Sequence, residues 1–185
     1  MEDLITYIIT FASNLPAIQD LVFIASGGIG FFSVTSALYY QISNGRRGDT
    51  PSSAFWAMLF IGSLMLTLQS LVGAFSTTLL GEGIVPVTVT DLQVSQLHSM
   101  KTSGDTVRGA IHTIALIVNL IGWIAATRGL IRWNYGPKYQ QPGWFGSGLT
   151  FVIAGALCTN LYAFADAIAV SIGAIPVATT YFKLS

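Results

Sequence analysis

Charged residues are scarce in this sequence. Of its 185 residues, 9% are Asp, Glu, Lys or Arg, whereas a soluble domain carries about 25%. No charged residue lies between Asp20 and Arg46 or between Asp49 and Glu82. Each of these intervals is long enough for a membrane-crossing helix of about 20 residues. The composition therefore predicts an all-α membrane protein, the alternative being a soluble bundle of buried helices.

Cysteine and catalytic motifs are scarce as well. The single cysteine, Cys158, excludes an internal disulfide and has no metal-ligating neighbours in the sequence. There is no phosphate-binding loop, zinc spacing or nucleophile elbow, and the GGIG run at 27–30 is too short for a dinucleotide fingerprint. We therefore expect no enzyme activity, no metal, no cofactor other than bound phospholipid, and no direct recognition of a nucleic-acid sequence.

Long hydrophobic runs are what the sequence has instead. They cover about residues 21–43, 52–80, 108–133 and 148–175. All six prolines fall outside these runs or at their edges, where the missing N–H of proline is tolerated. The runs predict four hydrophobic helices.

The two halves of the chain align with each other. FFSVTSALYYQ at 31–41 lies over WIAATRGLIRW at 123–133, and the following runs match with Gly62 over Gly155, at an offset of about 92 residues. We interpret the halves as two tandem helical hairpins, the alternative being convergence on a generic hydrophobic hairpin. The predicted organisation is an amphipathic segment over 1–19, a first hairpin over 20–80, a polar connector over 81–107, and a second hairpin with a C-terminal tail over 108–185.

Five basic residues lie in or near the turns of the two hairpins: Arg46, Arg47, Arg128, Arg132 and Lys138. Short basic loops stay in the cytoplasm, so we expect both turns on that side and the N-terminus, connector and C-terminus on the other. Arg128 and Arg132 lie one helical turn apart inside the third run, where long side chains reach lipid phosphates. We interpret all five as lipid-phosphate contacts; the alternative is that they only set the orientation.

Four polar residues are expected to face each other in the second hairpin. If the two helices are antiparallel about a turn near residue 139, His112 lies opposite Asp166, and Asn119 lies opposite Thr159. Both pairs then lie on one face, because each helix separates its two residues by seven positions. Ionisable groups in lipid are costly and usually paired. We interpret the four as a structural polar seam, the alternative being a proton relay or ion site.

A hydrophobic hairpin closed by a short basic turn resembles the small pilins of type IV secretion systems, in which phospholipid packs between subunits. Arg46, Arg47 and Lys138 match that basic turn. The layout of the whole chain resembles the TraQ and IcmC/DotE proteins of type IVB conjugation and secretion systems. The resemblance implies a structural, self-associating subunit of a bacterial conjugation or secretion apparatus, with phospholipid and other apparatus proteins as partners. It also implies the bacterial inner membrane as location, or an extracellular pilus after assembly.

Two other functions remain open at this point. One is a small transporter or proton-coupled protein that uses His112 and Asp166. The other is a lytic pore-former, which the asymmetric distribution of charge allows.

Overall fold

The chain is all-helical over the residues that the computed structural model describes, which are 7, 10–45, 53–80, 106–136, 139 and 142–173. These residues contain no strand, so the predicted fold class is confirmed at that level. Most of the predicted connector lies outside them. Within the described residues the helices are α1 Leu15–Gly45, α2 Ser53–Leu66, α3 Leu68–Leu80, α4 Thr106–Tyr135, α5 Trp144–Thr159 and α6 Leu161–Ser171.

Two of these helices are long and apolar enough to cross a membrane, over Thr10–Ser43 and Gly109–Tyr135. The other predicted runs, 52–80 and 148–175, are not straight helices. The axes of α2 and α3 differ by 86°, and those of α5 and α6 by 87°. The chain therefore has two candidate spans, or up to four if each bent pair is one span. Helices of this length and composition indicate a location in a membrane.

The bends occur at Thr67 and Asn160, and their own hydrogen bonds explain them. The Thr67 amide is shared between the carbonyls three and four residues earlier, at 3.2 and 3.3 Å. The Asn160 amide bonds the carbonyl three residues earlier at 3.2 Å, and its side-chain Nδ2 bonds the one four residues earlier at 3.1 Å. Bonds to the third residue tighten the last turn, and polar side chains compete with the helical ladder. Both helices therefore end without a proline or a glycine.

In each predicted hairpin the two helices cross at a contact between two glycines. A Cβ atom added at Gly30 would lie 2.7 Å from the carbonyl oxygen of Gly62, and one added at Gly155 would lie 2.7 Å from that of Gly122. Only residues without a side chain allow helices to approach this closely. Gly122 follows Gly30 by 92 positions and Gly155 follows Gly62 by 93. The bends are also 93 positions apart, so the two hairpins share their crossing point and their bend.

The two hairpins also share one hydrophobic core. Its centre is Trp123, which is fully buried and meets Phe23 of the first hairpin edge to face, with ring centroids 4.8 Å apart. Near the turns, Ser33 Oγ donates a 2.8 Å hydrogen bond to Asn134 Oδ1. Contacts across the hairpins are thus both apolar and polar. The buried residues of this core are Ile61, Met65, Leu68 and Val72 from the first hairpin, and Trp123, Ala126, Leu130, Val152 and Ala156 from the second.

The end of the predicted N-terminal segment packs on the second hairpin. Ala12 and Leu15 are fully buried and form a smaller cluster with Leu116 and Leu120 of α4. This end of the segment therefore covers α4.

Candidate functional site

Two of the five basic residues predicted to contact lipid phosphate lie in the described part of the chain. Arg128 is exposed, and its guanidinium carbon lies 5.4 Å from the centroid of the Phe151 ring, a cation–π arrangement. Arg132 is half-buried in the last turn of α4, where a positive charge is stabilised by the helix dipole. Arg46, Arg47 and Lys138 lie outside the described residues. Contact with lipid phosphate stays a prediction for all five.

Asn119 and Thr159, which the sequence places level with each other, are in contact. The Asn119 Nδ2 atom donates a 2.9 Å hydrogen bond to the carbonyl oxygen of Thr159, and both residues are buried. Thr159 is the last residue of α5, so its carbonyl lies at the bend. An amide side chain from α4 thus bonds a backbone group that the bend removes from the regular helix.

Asn160 connects the bend to the other hairpin. Its Nδ2 atom donates to Ser76 Oγ of α3 at 2.7 Å and lies 3.2 Å from Thr159 Oγ1. The Thr159 hydroxyl in turn donates to the carbonyl of Ala156 at 3.0 Å. All of these polar groups are buried, and each contributes to a connected network, which is the arrangement in which buried polar groups stabilise a structure.

His112 lies beside Tyr162 in the structure. The His112 Nδ1 atom is 3.0 Å from the Tyr162 hydroxyl, and the two rings are stacked with centroids 6.2 Å apart. Asp166 is half-buried one helical turn after Tyr162 on α6. The direct pairing of His112 with Asp166 that the sequence predicts stays a prediction, whereas the contact with Tyr162 is a finding.

These contacts join helices to one another and supply hydrogen-bond partners at the second bend. In a membrane, backbone groups released from a helix must find partners within the protein, and Asn119 and Asn160 supply such partners at the second bend. Among the described residues, no three His, Cys, Asp or Glu side chains lie where they could hold a metal ion. The hydrogen bonds connect α4, α5 and α3, and the interpretation of the four predicted residues as a structural seam stays a prediction.

Sequence reasoning missed three members of this network: Asn160, Ser76 and Tyr162. The sequence does point to Asn160, because burying an amide side chain inside a hydrophobic run is costly unless it finds hydrogen-bond partners. Ser76 gave none, because a serine in an apolar helix commonly bonds the carbonyl one turn earlier, as Ser76 also does at 2.8 Å. Tyr162 could have been found from its position one turn before Asp166.

The first bend differs from the second. Asn119 precedes Gly122 by three positions, and the residue that precedes Gly30 by three is Gly27, which has nothing within 4 Å of an added Cβ. No side chain at that position can therefore donate a hydrogen bond to the backbone at the first bend. A groove of about 290 Å³ lies there instead, lined by Phe23, Met65, Leu66, Thr67, Leu68, Gln69 and Ser70.

Comparisons of the chain with protein-family models, with curated proteins and with solved structures found no match. Function is therefore inferred from the repeat, the bends and the polar contacts of the chain itself.

Proposed function

We propose that the chain is a self-associating structural subunit of a membrane assembly. The observation that supports this best is the contact between the two hairpins. They share a glycine crossing and a bend at matching positions, and they bury a common core around Trp123. A hairpin that already packs on a similar hairpin within one chain is a module suited to packing on further copies.

The character of that contact supports association inside a membrane. Without a hydrophobic driving force between helices in lipid, association depends on close packing and on hydrogen bonds between helices. The contact has both, in the edge-to-face rings of Phe23 and Trp123 and in the bond from Ser33 to Asn134. A second polar bond joins Asn160 to Ser76.

We extend the proposal to the kind of assembly. The tandem basic hairpins resemble those of type IV conjugation and secretion systems, so we propose a role in such a bacterial apparatus, with no enzyme activity. The partners are other copies of the chain, other apparatus proteins and membrane phospholipid. The location is the inner membrane, and an extracellular pilus if the subunits polymerise as pilins do.

The test is the mass of the protein in mild detergent and in membranes. Light scattering over a wide range of concentrations should give species larger than one chain, and chemical crosslinking in intact membranes should give the same species. A chain that is monomeric at every concentration and in membranes would refute the proposal. A helical membrane protein of similar size and known to be monomeric, purified in the same detergent, controls for incomplete extraction.

A transporter is the second candidate, and the paired bends favour it. Broken helices at corresponding positions of two repeats are typical of substrate sites in secondary transporters, and here the bends fall at Thr67 and Asn160. The test is proton or ion flux into proteoliposomes. An Asp166→Asn variant that stays folded but loses a flux seen with the parent would favour the transporter over the structural subunit.

A further inference from the structure

The first bend lacks a hydrogen bond that the second bend has. At the second bend, the Asn119 Nδ2 atom donates to the carbonyl oxygen of Thr159. The counterpart of Thr159, 93 positions earlier, is Leu66, the last residue of α2. The last carbonyls of a helix have no partner within that helix, and no side chain among the described residues donates to the carbonyl of Leu66. This carbonyl can therefore accept a hydrogen bond from outside the chain.

The other carbonyls at the end of α2 do have partners. The Thr67 amide bonds the carbonyls of Ser63 and Leu64, at 3.3 and 3.2 Å. The Ser26 hydroxyl donates to the carbonyl of Met65 at 3.4 Å. For Leu66, the structure shows no such donor among the described residues.

The helices of the two hairpins cross in the same register, so the first bend has a place for the missing donor. A Cβ atom added at Gly30 would lie 3.2 Å from the amide nitrogen of Leu66, and one added at Gly122 would lie 2.9 Å from that of Thr159. The donor at the second bend, Asn119, lies three residues before the glycine of its crossing. A group in the equivalent place beside α1 is therefore positioned to donate to the carbonyl of Leu66.

The equivalent place beside α1 is empty of protein atoms. The residue there is Gly27, and no atom lies within 4 Å of a Cβ atom added to it. The groove of about 290 Å³ at this bend is lined by Leu66 and its neighbours, and by Phe23 of α1, one helical turn before Gly27. Sites for small molecules begin at about 300 Å³, so the groove can hold a molecule of a few carbon atoms.

The lining of the groove combines apolar and polar side chains. Met65 and Leu68 are buried in it. Gln69 and Ser70 also line it; both are exposed, and their side chains make no hydrogen bond to the described residues. None of the described residues that line the groove carries a charge, and an unpaired charge is costly in a membrane. The lining therefore suits a neutral molecule with an apolar body and a polar group.

We propose that the groove at the first bend binds a neutral alcohol. Its hydroxyl donates to the carbonyl of Leu66, as Asn119 donates to that of Thr159. A hydroxyl also accepts hydrogen bonds, so it is a partner for Gln69 or Ser70 as well. One chain is sufficient to form this site, so the proposal goes beyond self-association and does not depend on it.

Photolabelling tests the site. The probe is octanol with a diazirine in its chain, applied to the full chain in proteoliposomes, and peptide mass spectrometry locates the label. We expect label in residues 65–70, and an excess of plain octanol should remove it. The control probe is octane with the same diazirine. Because it lacks the donor of one hydrogen bond, it should label these residues about fivefold less.

Two asparagine variants supply a matched control. Gly27→Asn places an amide where Asn119 lies in the second hairpin, so it should bond the carbonyl of Leu66 and reduce labelling by the octanol probe about fivefold or more. Gly28→Asn adds the same side chain about 100° further around α1, also where nothing lies within 4 Å of a Cβ atom, and should leave labelling unchanged. Gly27→Asn should also unfold at a higher temperature than Gly28→Asn, because it supplies the missing bond within the chain.

Organic extracts of the purified protein identify the source of the alcohol. A hydroxyl-bearing lipid that copurifies with the parent and with Gly28→Asn, but not with Gly27→Asn, identifies a lipid as the ligand. If the labelling results hold and no such lipid is found, the ligand is a small soluble alcohol.

Three results would overturn the proposal. Equal labelling by the octanol and octane probes would show that the groove only admits hydrocarbon. Labelling that Gly27→Asn does not reduce, or that Gly28→Asn reduces equally, would show that the carbonyl of Leu66 does not hold the alcohol. An absence of label in residues 65–70 would show that the groove does not bind alcohols. None of these results changes the outcome of light scattering, so failure of this proposal is distinguishable from failure of self-association.

Discussion

Asn119 on α4 donates a 2.9 Å hydrogen bond to the carbonyl oxygen of Thr159, where α5 ends and the chain turns by 87°. Replacement of Asn119 by Leu should leave that buried carbonyl without its donor. We expect the variant to lose about 1–3 kcal/mol of stability, measured as a lower unfolding temperature in detergent. The control is Ile121→Leu, which introduces the same side chain at an exposed position of α4. Equal stability of the two variants would contradict a structural role for Asn119.

The glycine crossings give a second prediction. A Cβ atom at Gly122 would lie 2.8 Å from the Cβ of Cys158 and 2.9 Å from the carbonyl oxygen of Gly155. The Gly122→Ala variant should therefore separate α4 from α5 and lower the unfolding temperature.

Gly27→Ala is the matched control for that change. Nothing lies within 4 Å of a Cβ atom at Gly27, and alanine is the better helix former by about 1 kcal/mol. This variant should be as stable as the parent or more stable. If Gly122→Ala unfolds no earlier than Gly27→Ala, the close crossing is not needed for stability.

Much of this fold could be predicted from the sequence because its determinants are local or periodic. The scarcity of charge indicated the membrane, and the repeat offset placed Gly62 over Gly155, which the structure shows at equivalent crossings. The bends could not be predicted, because neither has a proline or glycine at its centre. They depend on how Thr67 and Asn160 partition their hydrogen bonds between side chain and backbone, which sequence periodicity does not reveal.

The polar seam was predictable to the extent that it depends on register. Counting outward from the turn brought Asn119 level with Thr159, and these two residues are in contact. The same count places His112 opposite Asp166, and that pairing stays a prediction; the structure adds the ring of Tyr162 beside His112. The count assumed that the last run is one straight helix, whereas α5 and α6 meet at 87°. It could therefore not identify Tyr162 as a neighbour of His112.

His112 and Tyr162 should be energetically coupled. The variants His112→Gln and Tyr162→Phe each remove one side of the 3.0 Å contact. If the contact is structural, the double variant should lose less stability than the sum of the single losses, with a coupling of about 0.5–3 kcal/mol. Unfolding in detergent measures all three variants.

The same comparison of single and double variants, with Asp166→Asn, tests the contact between His112 and Asp166 that the sequence predicts. Coupling of Asp166→Asn with His112→Gln would support a direct contact between the two residues. Additive losses for that pair, alongside coupling between His112 and Tyr162, would restrict the seam to the tyrosine.

The orientation of the chain is tested by two introduced cysteines. Short basic turns stay in the cytoplasm, so a cysteine at Asn44, beside Arg46 and Arg47, should react only from that side. A cysteine at Ser95, in the connector, should react only from the opposite side. Both are made with Cys158→Ala and treated with a membrane-impermeant thiol reagent before and after permeabilisation. Reaction of both from one side would overturn the orientation.

The basic residues at the turns are expected to hold phospholipid in the assembled state. In the sequence, Arg46, Arg47, Arg128, Arg132 and Lys138 lie in or near the predicted turns of the hairpins, and the only acid near them is Asp49. At physiological salt the Debye length is about 8 Å, so charges closer than this to each other still repel. Anionic headgroups supply the compensating charge, at about 1 kcal/mol for each basic residue near the surface.

Arg128 and Arg132 are the most direct test of this lipid role. The double variant Arg128→Gln, Arg132→Gln should reduce the phospholipid that copurifies with the assemblies and should weaken assembly itself. The control is Arg108→Gln, which removes a charge near the opposite end of α4 and should leave both unchanged. Lipid extraction followed by mass spectrometry measures phospholipid per chain, and light scattering measures assembly. If no lipid is bound, removing two arginines relieves their mutual repulsion and should improve assembly. Improved assembly of the double variant, together with no phospholipid in the parent, would therefore show that the arginines do not act through lipid.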